Sequence, residues 1–403
     1  MAAADAARER LAPRHVPAAP RLHIKRSTTR EQLLEWWQAR RDVGGTALAD
    51  PVTLGDVEAY SATIENLIGT VKLPVGVAGP LRVNGLHAHG DYLVPLATTE
   101  AALVASYARG ADVITRAGGA AAVMVSEGVL RSPVFVFSDI VEAGLFVGWA
   151  AERAEALREA AEATTRHGKL EAIEPFIDND TVFLLCRYTT GDAAGQNMVT
   201  IATEALCRAV LENCPVTPRH WFIEGNFSGD KKASYLGLIT GRGRKVSASV
   251  TIPEALVERC LNVTVDRLLD YARVAQLGAT LSGQIGAQGH YANGLAGFYI
   301  ATGQDAACVA ESAVGMTRME RREGGLFMSV TMPNLLVGSV GGGTGLPSQR
   351  TALELMGLAG SGKAAALAEV AACLCLAGEI SIMAALAAGD FTRAHHRLAR
   401  GRK

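Results

Sequence analysis

The sequence predicts an α+β protein: a large helical and mixed-sheet body that carries a smaller inserted unit. Three observations predict it. Residues 133–224 alternate short apolar, strand-like runs with helical stretches. Downstream of them the apolar spacing changes to that of long helices. Short β-rich runs interleave with those helices. A chain of 403 residues, 49% hydrophobic and 20% charged, is globular and long enough for two or more cores. A formal net charge of −1 gives no pull toward nucleic acid or an acidic membrane surface.

The N-terminal MAAADAARERLAPRHVPAAP lacks an apolar signal core, and its Ala/Pro/Arg composition predicts disorder over 1–22. Ser27–Arg41 reads as a helix capped by Ser27, Thr53–Ile68 as a second, and Thr98–Thr115 as a third. Then follow a buried strand at Pro133–Phe137 and a helix at Asp139–Thr165. Two strands, Leu170–Ile177 and Thr181–Thr189, join through Asp178–Asn179–Asp180. A helix at Gly195–Cys214 and a strand at Arg219–Glu224 complete the unit. The order β-α-β-β-α-β is the split unit of ferredoxin-like domains and places an insert at 132–223, flanked by 23–131 and 224–385. Pro253–Gly278, His290–Met316, Ser348–Leu358 and Lys363–Gly389 read as helices, with strands around Lys245–Thr251 and Leu326–Val340. No apolar run reaches a membrane span: the greasiest, Ala364–Leu376, holds Glu369 and is followed by Glu379. Seven cysteines without a CxxC pair fit reduced thiols and a cytoplasmic location.

Several segments carry chemistry. Glu65–Leu81 (ENLIGTVKLPVGVAGPL) has neither helical nor strand period and suits a shaped wall or a packed loop. Gly191–Thr200 (GDAAGQNMVT) opens a helix with a Gly/Ala turn; it could seat a pyrophosphate or be an ordinary start capped by Asp192. Gly338–Gly345 (GSVGGGTG) implies close backbone approach to a ligand or a helix. Gly357–Ala364 (GLAGSGKA) nearly matches a phosphate-binding loop, but Ala364 stands where Ser or Thr would hold magnesium, so it reads as a connecting loop. No clean GxGxxG occurs. In Gly225–Lys232 (GNFSGDKK) a lysine beside an aspartate is a candidate electrophile for an oxyanion, or a solvated turn. Glu100 and Asp305, each in an apolar run, are candidate proton donors or plain surface carboxylates. His87 and His89 lack further ligands at metal spacing, so no metal is expected.

Together the blocks ENLIGTVKLPVGVAGPL, PLATTEAALVAS, GDAAGQNMVT, GNFSGDKKAS, GQDAACVAESA, MPNLLVGSVGGGTGLPSQ and LAGEISIMAALAAGDFTRAH resemble the 3-hydroxy-3-methylglutaryl-CoA (HMG-CoA) reductases, over about 60–396. The wording is closer to the NADPH-using class of eukaryotes, archaea and some bacteria. The resemblance implies a large CoA-binding domain with a long central helix, a ferredoxin-like nicotinamide-binding insert, a mobile flap from 386, and a homo-oligomer with active sites at subunit interfaces. It implies four-electron reduction of the thioester to mevalonate with two NADPH (NADH being possible). It carries catalytic roles onto Glu100, Lys231, Asp305 and His395. Cofactor contacts fall on Arg166, Asp192, Gly195, Gln196, Asn197, Gly341 and Gly342. Substrate contacts fall on Glu65, Asn66, Ser106, Arg109, Arg131, Lys232, Arg273, His290 and Asn293. Arg273 stands in place of the family lysine, and Glu224 in place of a small polar residue. A related β-hydroxyacyl thioester, or a non-catalytic paralogue, is the alternative. The membrane anchor of eukaryotic relatives is not expected here.

Overall fold

The computed structural model describes residues 2–12, 27–40, 42 and 45–389. The chain forms two compact units, Met1–Lys72 and Leu73–Lys403.

In the first unit, α1 (Ala2–Leu11) is a helix where the sequence predicted disorder. Its alanines favour the helix intrinsically, and an Asp5–Arg8 pair bridges one turn at 2.9 Å. The remainder of that predicted tail, 13–22, lies outside the described residues. Helix α2 (Arg30–Gln38) begins later than expected because Thr29, not Ser27, is its cap, in a reciprocal capping box with Gln32. The predicted helix at 53–68 is instead two short ones, α3 (Pro51–Gly55) and α4 (Val57–Ser61). Leu33, Val57 and Leu67 form the small core of this unit.

In the second unit, the hairpin β1 (Val75–Gly85) and β2 (His89–Ala97) leads to α5 (Leu103–Arg116). Strands β3 (Ala120–Arg131) and β4 (Val134–Val136) follow, then α6 (Ile140–Glu152) and α7 (Ala154–Glu162). Next come β5 (Lys169–Asp178), β6 (Thr181–Thr189), α8 (Gln196–Asn213) and β7 (His220–Phe222). The β-α-β-β-α-β order read from sequence is therefore present, with its first helix broken at Arg153. After α9 (Tyr235–Thr240) and β8 (Gly243–Ile252), the single predicted helix at 253–278 is two, α10 (Glu254–Leu261) and α11 (Val265–Ser282). Asn262 ends the first in the left-handed region (φ 55), and the Thr264 hydroxyl caps the second.

The predicted helix at 290–316 is likewise divided. After β9 (Gly286–Ala287), α12 (Tyr291–Thr302) stops at Gly303 (φ 73). A 3₁₀ turn at Ala306–Cys308 and α13 (Val309–Ser312) lead into the hairpin β10 (Gly315–Arg322) and β11 (Gly325–Leu335). Helices α14 (Pro347–Leu355) and α15 (Ala364–Ala388) close the described chain. Helix α15 runs to Ala388 with Gly389 as its C-cap, and the rest of the expected flap, 390–403, lies outside the described residues.

The strands form one mixed sheet in the order β7-β4-β6-β3-β8-β11-β10-β9, with β1 against β2 and β3, and β5 against β6. Strand β3 links its two parts: Ala121–Gly128 pairs antiparallel with β8, and Val129–Arg131 pairs with β6. That join delivers Arg131 to the place where the two parts meet.

Helix α15 is the core. By length and composition it could cross a membrane, which corrects the reading that no apolar run suffices: Ala364–Ala387 has mean hydropathy 2.1. Its 89% burial shows what the apolarity serves, since sheet and helices surround it. Its two carboxylates are fully buried, and both are satisfied. Glu369 accepts the N–H groups of His87, Ala88 and Met124 at 2.7–3.2 Å. Glu379 accepts those of Gly289 and His290 and the Thr317 hydroxyl. Helix α5 crosses α15 in near backbone contact, because a Cβ at Gly110 would lie 1.8 Å from the Ala377 carbonyl oxygen.

Gly110→Ala must part these helices, since the obstacle is backbone. Overpacking of this kind costs about 3 kcal/mol, and the midpoint of urea unfolding should fall accordingly. An unchanged midpoint would show that the crossing is looser than described.

Candidate active site

Five separate segments converge on one buried polar cluster. The end of β3 supplies Arg131, the first turn of α8 Gln196, the loop after β7 Asp230 and Lys231, the entry to β8 Arg242, and α13 Glu311. Arg242 and Glu311 are each 1% exposed, and Arg242 Nη1 donates to both Glu311 oxygens at 2.6 Å. Its Nη2 lies 2.9 Å from Asp230 Oδ1. Arg131 Nη1 donates to Asp230 Oδ2 at 3.0 Å and lies 3.5 Å from Glu224. The buried Asn334 amide accepts the Arg242 N–H and donates to the Glu311 carbonyl. Burial pushes the Glu311 carboxyl above its ordinary pKa, against the pull of Arg242.

Lys231 is built onto this base. Its N–H donates to Glu311 Oε1 at 3.3 Å, and its φ of 58 turns the chain so that the side chain leaves the buried pair. Its ammonium meets Asp305 Oδ2 at 2.9 Å, with both side chains about two-fifths exposed (42% and 39%). Gln196 Nε2 donates to the same oxygen at 3.2 Å. Asp305 also caps the 3₁₀ turn, accepting the Ala307 N–H at 3.0 Å. The hydrogen bond to Asp305 raises the Lys231 pKa. Partial burial pulls Asp305 upward, but the bonds from Lys231 and Ala307 outweigh it and hold the carboxyl below its usual range. The raised lysine loses its charge only above lysine's usual value near 10.4, and the lowered carboxylate only below about 3.9. The pair therefore stays charged through the neutral range.

A second group assembles where α5, α12 and α15 meet. Ser106 donates to Ser381 Oγ at 2.9 Å, and Arg109 donates to the Ser381 hydroxyl and carbonyl at 3.0 and 2.6 Å. The Tyr107 ring stacks on His290 at 5.0 Å, while its hydroxyl donates to the His290 carbonyl. Gly294 and Gly378 make room for that ring: a Cβ at either would lie within 2.5 Å of it. Glu100 is exposed just ahead of α5, its N–H on Thr98 Oγ1 at 3.0 Å, and its charge is felt by Tyr107. The predicted helix start at Thr98 is not formed, because Ala102 is left-handed (φ 71) and α5 begins after it.

Lys231 and Asp305 are thus brought together, with Gln196 and Arg131 beside them. Ser106, Arg109 and His290 join the second group, and Asn293 lies half-buried in the first turn of α12. No hydrogen bond or ion pair joins Glu100 to Lys231 among the described residues. Lys232 points out and donates to the Asp230 carbonyl. Arg273 enters neither group; it projects from α11 and pairs with Asp270 at 3.5 Å. Glu65 and Asn66 belong to the first unit, and His395 lies outside the described residues. Glu224, which stands in place of the family's small polar residue, is engaged by the Ser132 N–H at 3.2 Å and by Arg131. Sequence reasoning missed Arg242, Glu311, Asn334 and Ser381. Only a charged residue set in an otherwise apolar run hinted at Glu311.

The two glycine-rich turns lie side by side. Ala193 bridges to Val340, and Ser339 donates to the Asp192 carbonyl at 2.9 Å. Helix α8 has no side-chain cap of its own, and its N-terminal residue Gly195 is left-handed (φ 76). A Cβ at Gly191, Gly341 or Gly342 would meet open space. The turn holding the exposed Arg166 packs on the start of α8, with Thr165 Oγ1 donating to Met198 Sδ at 2.9 Å. Free N–H groups at a helix start, open glycines and a nearby arginine are what a phosphate-bearing cofactor requires. Among the described residues no three His, Cys, Asp or Glu side chains gather as a metal would need.

Arg242→Met leaves the buried Glu311 without its cation, while Asp230 keeps Arg131, and should cost about 3–5 kcal/mol. Loss of the cation raises the Glu311 pKa further above its unfolded value. The folded state then binds the proton more tightly, so stability gained at low pH is lost as pH rises. Chemical unfolding of R242M should therefore show greater stability at about pH 6 than at about pH 8. The opposite slope would mean that Glu311 is not the group left unpaired.

The hydroxymethylglutaryl-coenzyme A reductase family model matches residues 30–400. The reductase of Methanothermobacter thermautotrophicus is 45% identical over 350 residues, covering 86% of this chain and 87% of that one. That of Aeropyrum pernix is 44% identical, covering 85% and 83%. A class II reductase from Streptococcus pneumoniae, solved with NADPH in open conformations, shares the fold with a TM-score of 0.66 at 21% identity, covering 89% of this chain and 87% of that one. The chain belongs to the hydroxymethylglutaryl-coenzyme A reductase family.

Proposed function

We propose that the protein reduces (S)-HMG-CoA to mevalonate and free CoA with two NADPH, through a hemithioacetal and an aldehyde. The observation that carries this reading is the Lys231–Asp305 pair held on a buried ionic base. NADPH, when bound, supplies hydride. Each hydride leaves negative charge on the carbonyl oxygen, and the Lys231 ammonium is placed to hydrogen-bond that oxygen as its charge develops. Asp305 and Gln196 fix the ammonium's position, and Asp305 keeps it protonated. Glu100 supplies the proton that completes the alcohol, and His395 protonates the departing thiolate. Arg131, Lys232, His290 and Asn293 contact the acyl group. Ser106 and Arg109 serve the CoA side. Arg273 faces outward in this chain and pairs with Asp270, and its assignment to the acyl carboxylate rests on the family resemblance alone.

Residues 132–223 form the inserted ferredoxin-like domain that binds the nicotinamide cofactor, within a body that binds CoA. The uncapped start of α8, with Gly195, Gln196 and Asn197, and the open Gly341 and Gly342 receive the pyrophosphate and nicotinamide side. Arg166 reads the 2′-phosphate. The enzyme acts in the cytoplasm as a homo-oligomer with Glu100 and Lys231 contributed by different subunits. Two features support this. The chain leaves those residues in separate groups. It also exposes Val75 and Val77 at alternate positions of β1, 58% and 45% exposed, and separately Val123 and Val125 of β3, 41% and 56% exposed.

Purified enzyme should consume two NADPH per HMG-CoA, and Lys231→Met should lower kcat by about 10³-fold. Background turnover of HMG-CoA by the parent would remove the standard substrate from consideration. Co-expressing Glu100→Gln and Lys231→Met subunits should restore about a quarter of parental activity, because random pairing leaves one intact site in each mixed dimer. No restoration would place both residues in one subunit. Arg166→Ala should raise the KM for NADPH about tenfold and leave that for NADH unchanged.

A further inference from the structure

The Gly357–Ala364 loop resembles a phosphate cradle, yet the structure shows it occupied by an anion from the chain itself. Gly357, Gly360 and Gly362 are left-handed (φ 69, 90 and 75), and the loop opens the 25-residue helix α15, which has no side-chain cap within its own sequence. Asp192, 170 residues away along the chain, fills that place. Its Oδ2 accepts the Gly362 N–H at 2.7 Å and its Oδ1 accepts the Ala364 N–H at 3.2 Å. The carboxylate therefore stands where a phosphate would stand, on free N–H groups at the positive end of a helix dipole.

The main chain of Asp192 is tied as well. Its carbonyl accepts the Ser339 and Val340 N–H groups at 2.9 and 3.4 Å. The buried Arg244 guanidinium donates to the carbonyls of Gly191 and Val337, and the Asp192 and Glu127 charges both support it against burial. Gly360 donates to the Ser339 carbonyl. The Gly191–Gly195 turn is thus pinned between the start of α15 and the 338–340 segment.

We infer that Asp192 is a positioning residue: its carboxylate, held by the Gly362 and Ala364 N–H groups, sets the Gly191–Gly195 turn for the nicotinamide cofactor rather than touching the cofactor itself. This rests on the reading of that turn as the cofactor turn. A cap serving stability alone would leave cofactor affinity untouched once the protein is folded.

The test uses the full-length enzyme and reads the KM values for NADPH and HMG-CoA separately, together with thermal unfolding. Asp192→Ala should raise the KM for NADPH about tenfold, as small misplacements do, and leave that for HMG-CoA within about twofold. Asp192→Asn, which keeps one accepting oxygen, should fall between. Added formate, which fits the vacated N–H groups, should return the NADPH KM of Asp192→Ala toward the parent's. It should do nothing for Asn197→Ala. Hydrogen exchange gives a second readout: NADPH should slow exchange at Gly362 and Ala364 in the parent and not in Asp192→Ala. A parental NADPH KM in folded Asp192→Ala overturns the inference. So does a raised KM with no formate rescue and unaltered exchange coupling, because Asp192 would then contact the cofactor directly. If Asn197→Ala leaves NADPH binding unchanged, the cofactor reading of the turn fails instead. If Asn197→Ala weakens binding and Asp192→Ala does not, only the positioning role falls.

Discussion

The Arg242–Glu311 pair is the constraint on which the rest of the site depends. Two opposite charges, each 1% exposed, are tolerable only when their hydrogen bonds are nearly complete. Asp230 and the Gln196 side-chain carbonyl oxygen face Arg242 Nη2, Asn334 accepts the Arg242 backbone N–H, and the Lys231 N–H takes part of the capacity of Glu311, so that Nε alone of the guanidinium nitrogens has no partner among the described residues. The loop that carries Lys231 is thereby fastened by its backbone, in a left-handed conformation that lysine does not favour. The ammonium can then meet Asp305 without having to anchor the loop. An exposed ion pair contributes little to stability, so the geometry of the outer pair must be set by the inner one.

Helix α15 plays the corresponding role for the second group. A helix apolar on all sides fixes its neighbours only where something breaks the uniformity. Here the breaks are Gly378, which admits the Tyr107 ring, and the buried polar side chains Glu369, Glu379 and Ser381. Each polar break holds a different segment: the turn between β1 and β2, the entry to α12, and the first turns of α5. Hydrogen bonds are directional, so three of them along one rigid helix place those segments more narrowly than apolar contact could.

Much of this organisation was written locally and much was not. The β-α-β-β-α-β order of 133–224 was legible because strand period, turn residues and helix caps recur within a few residues of each other. The divided helices at 253–282 and 290–316 were not, because Asn262 and Gly303 end helices within runs whose apolar spacing continues. Lys231 and Asp305 were identified through family wording; composition left each indistinguishable from a surface charge. Arg242 and Glu311 are separated by 69 residues, and Asp192 and Gly362 by 170. No local period encodes such a pairing. Asp192 was read as a cap, and it is one, but for a helix in another part of the chain.

The division of the site into two groups also has a physical reason. An oxyanion stabiliser and a proton donor held permanently against each other would neutralise each other: a carboxylate beside Lys231 stays ionised, as Asp305 does, and an ionised carboxylate cannot donate a proton. Glu100 stands exposed in a different group, free of that ammonium within one chain. In the homo-oligomer proposed above, a second subunit would exclude water as it joins the halves. There Lys231, whose pKa the hydrogen bond to Asp305 raises, keeps its charge. Separation within the chain, with the closure between chains proposed above, would let one site bring a proton donor to a cation without pairing the two permanently.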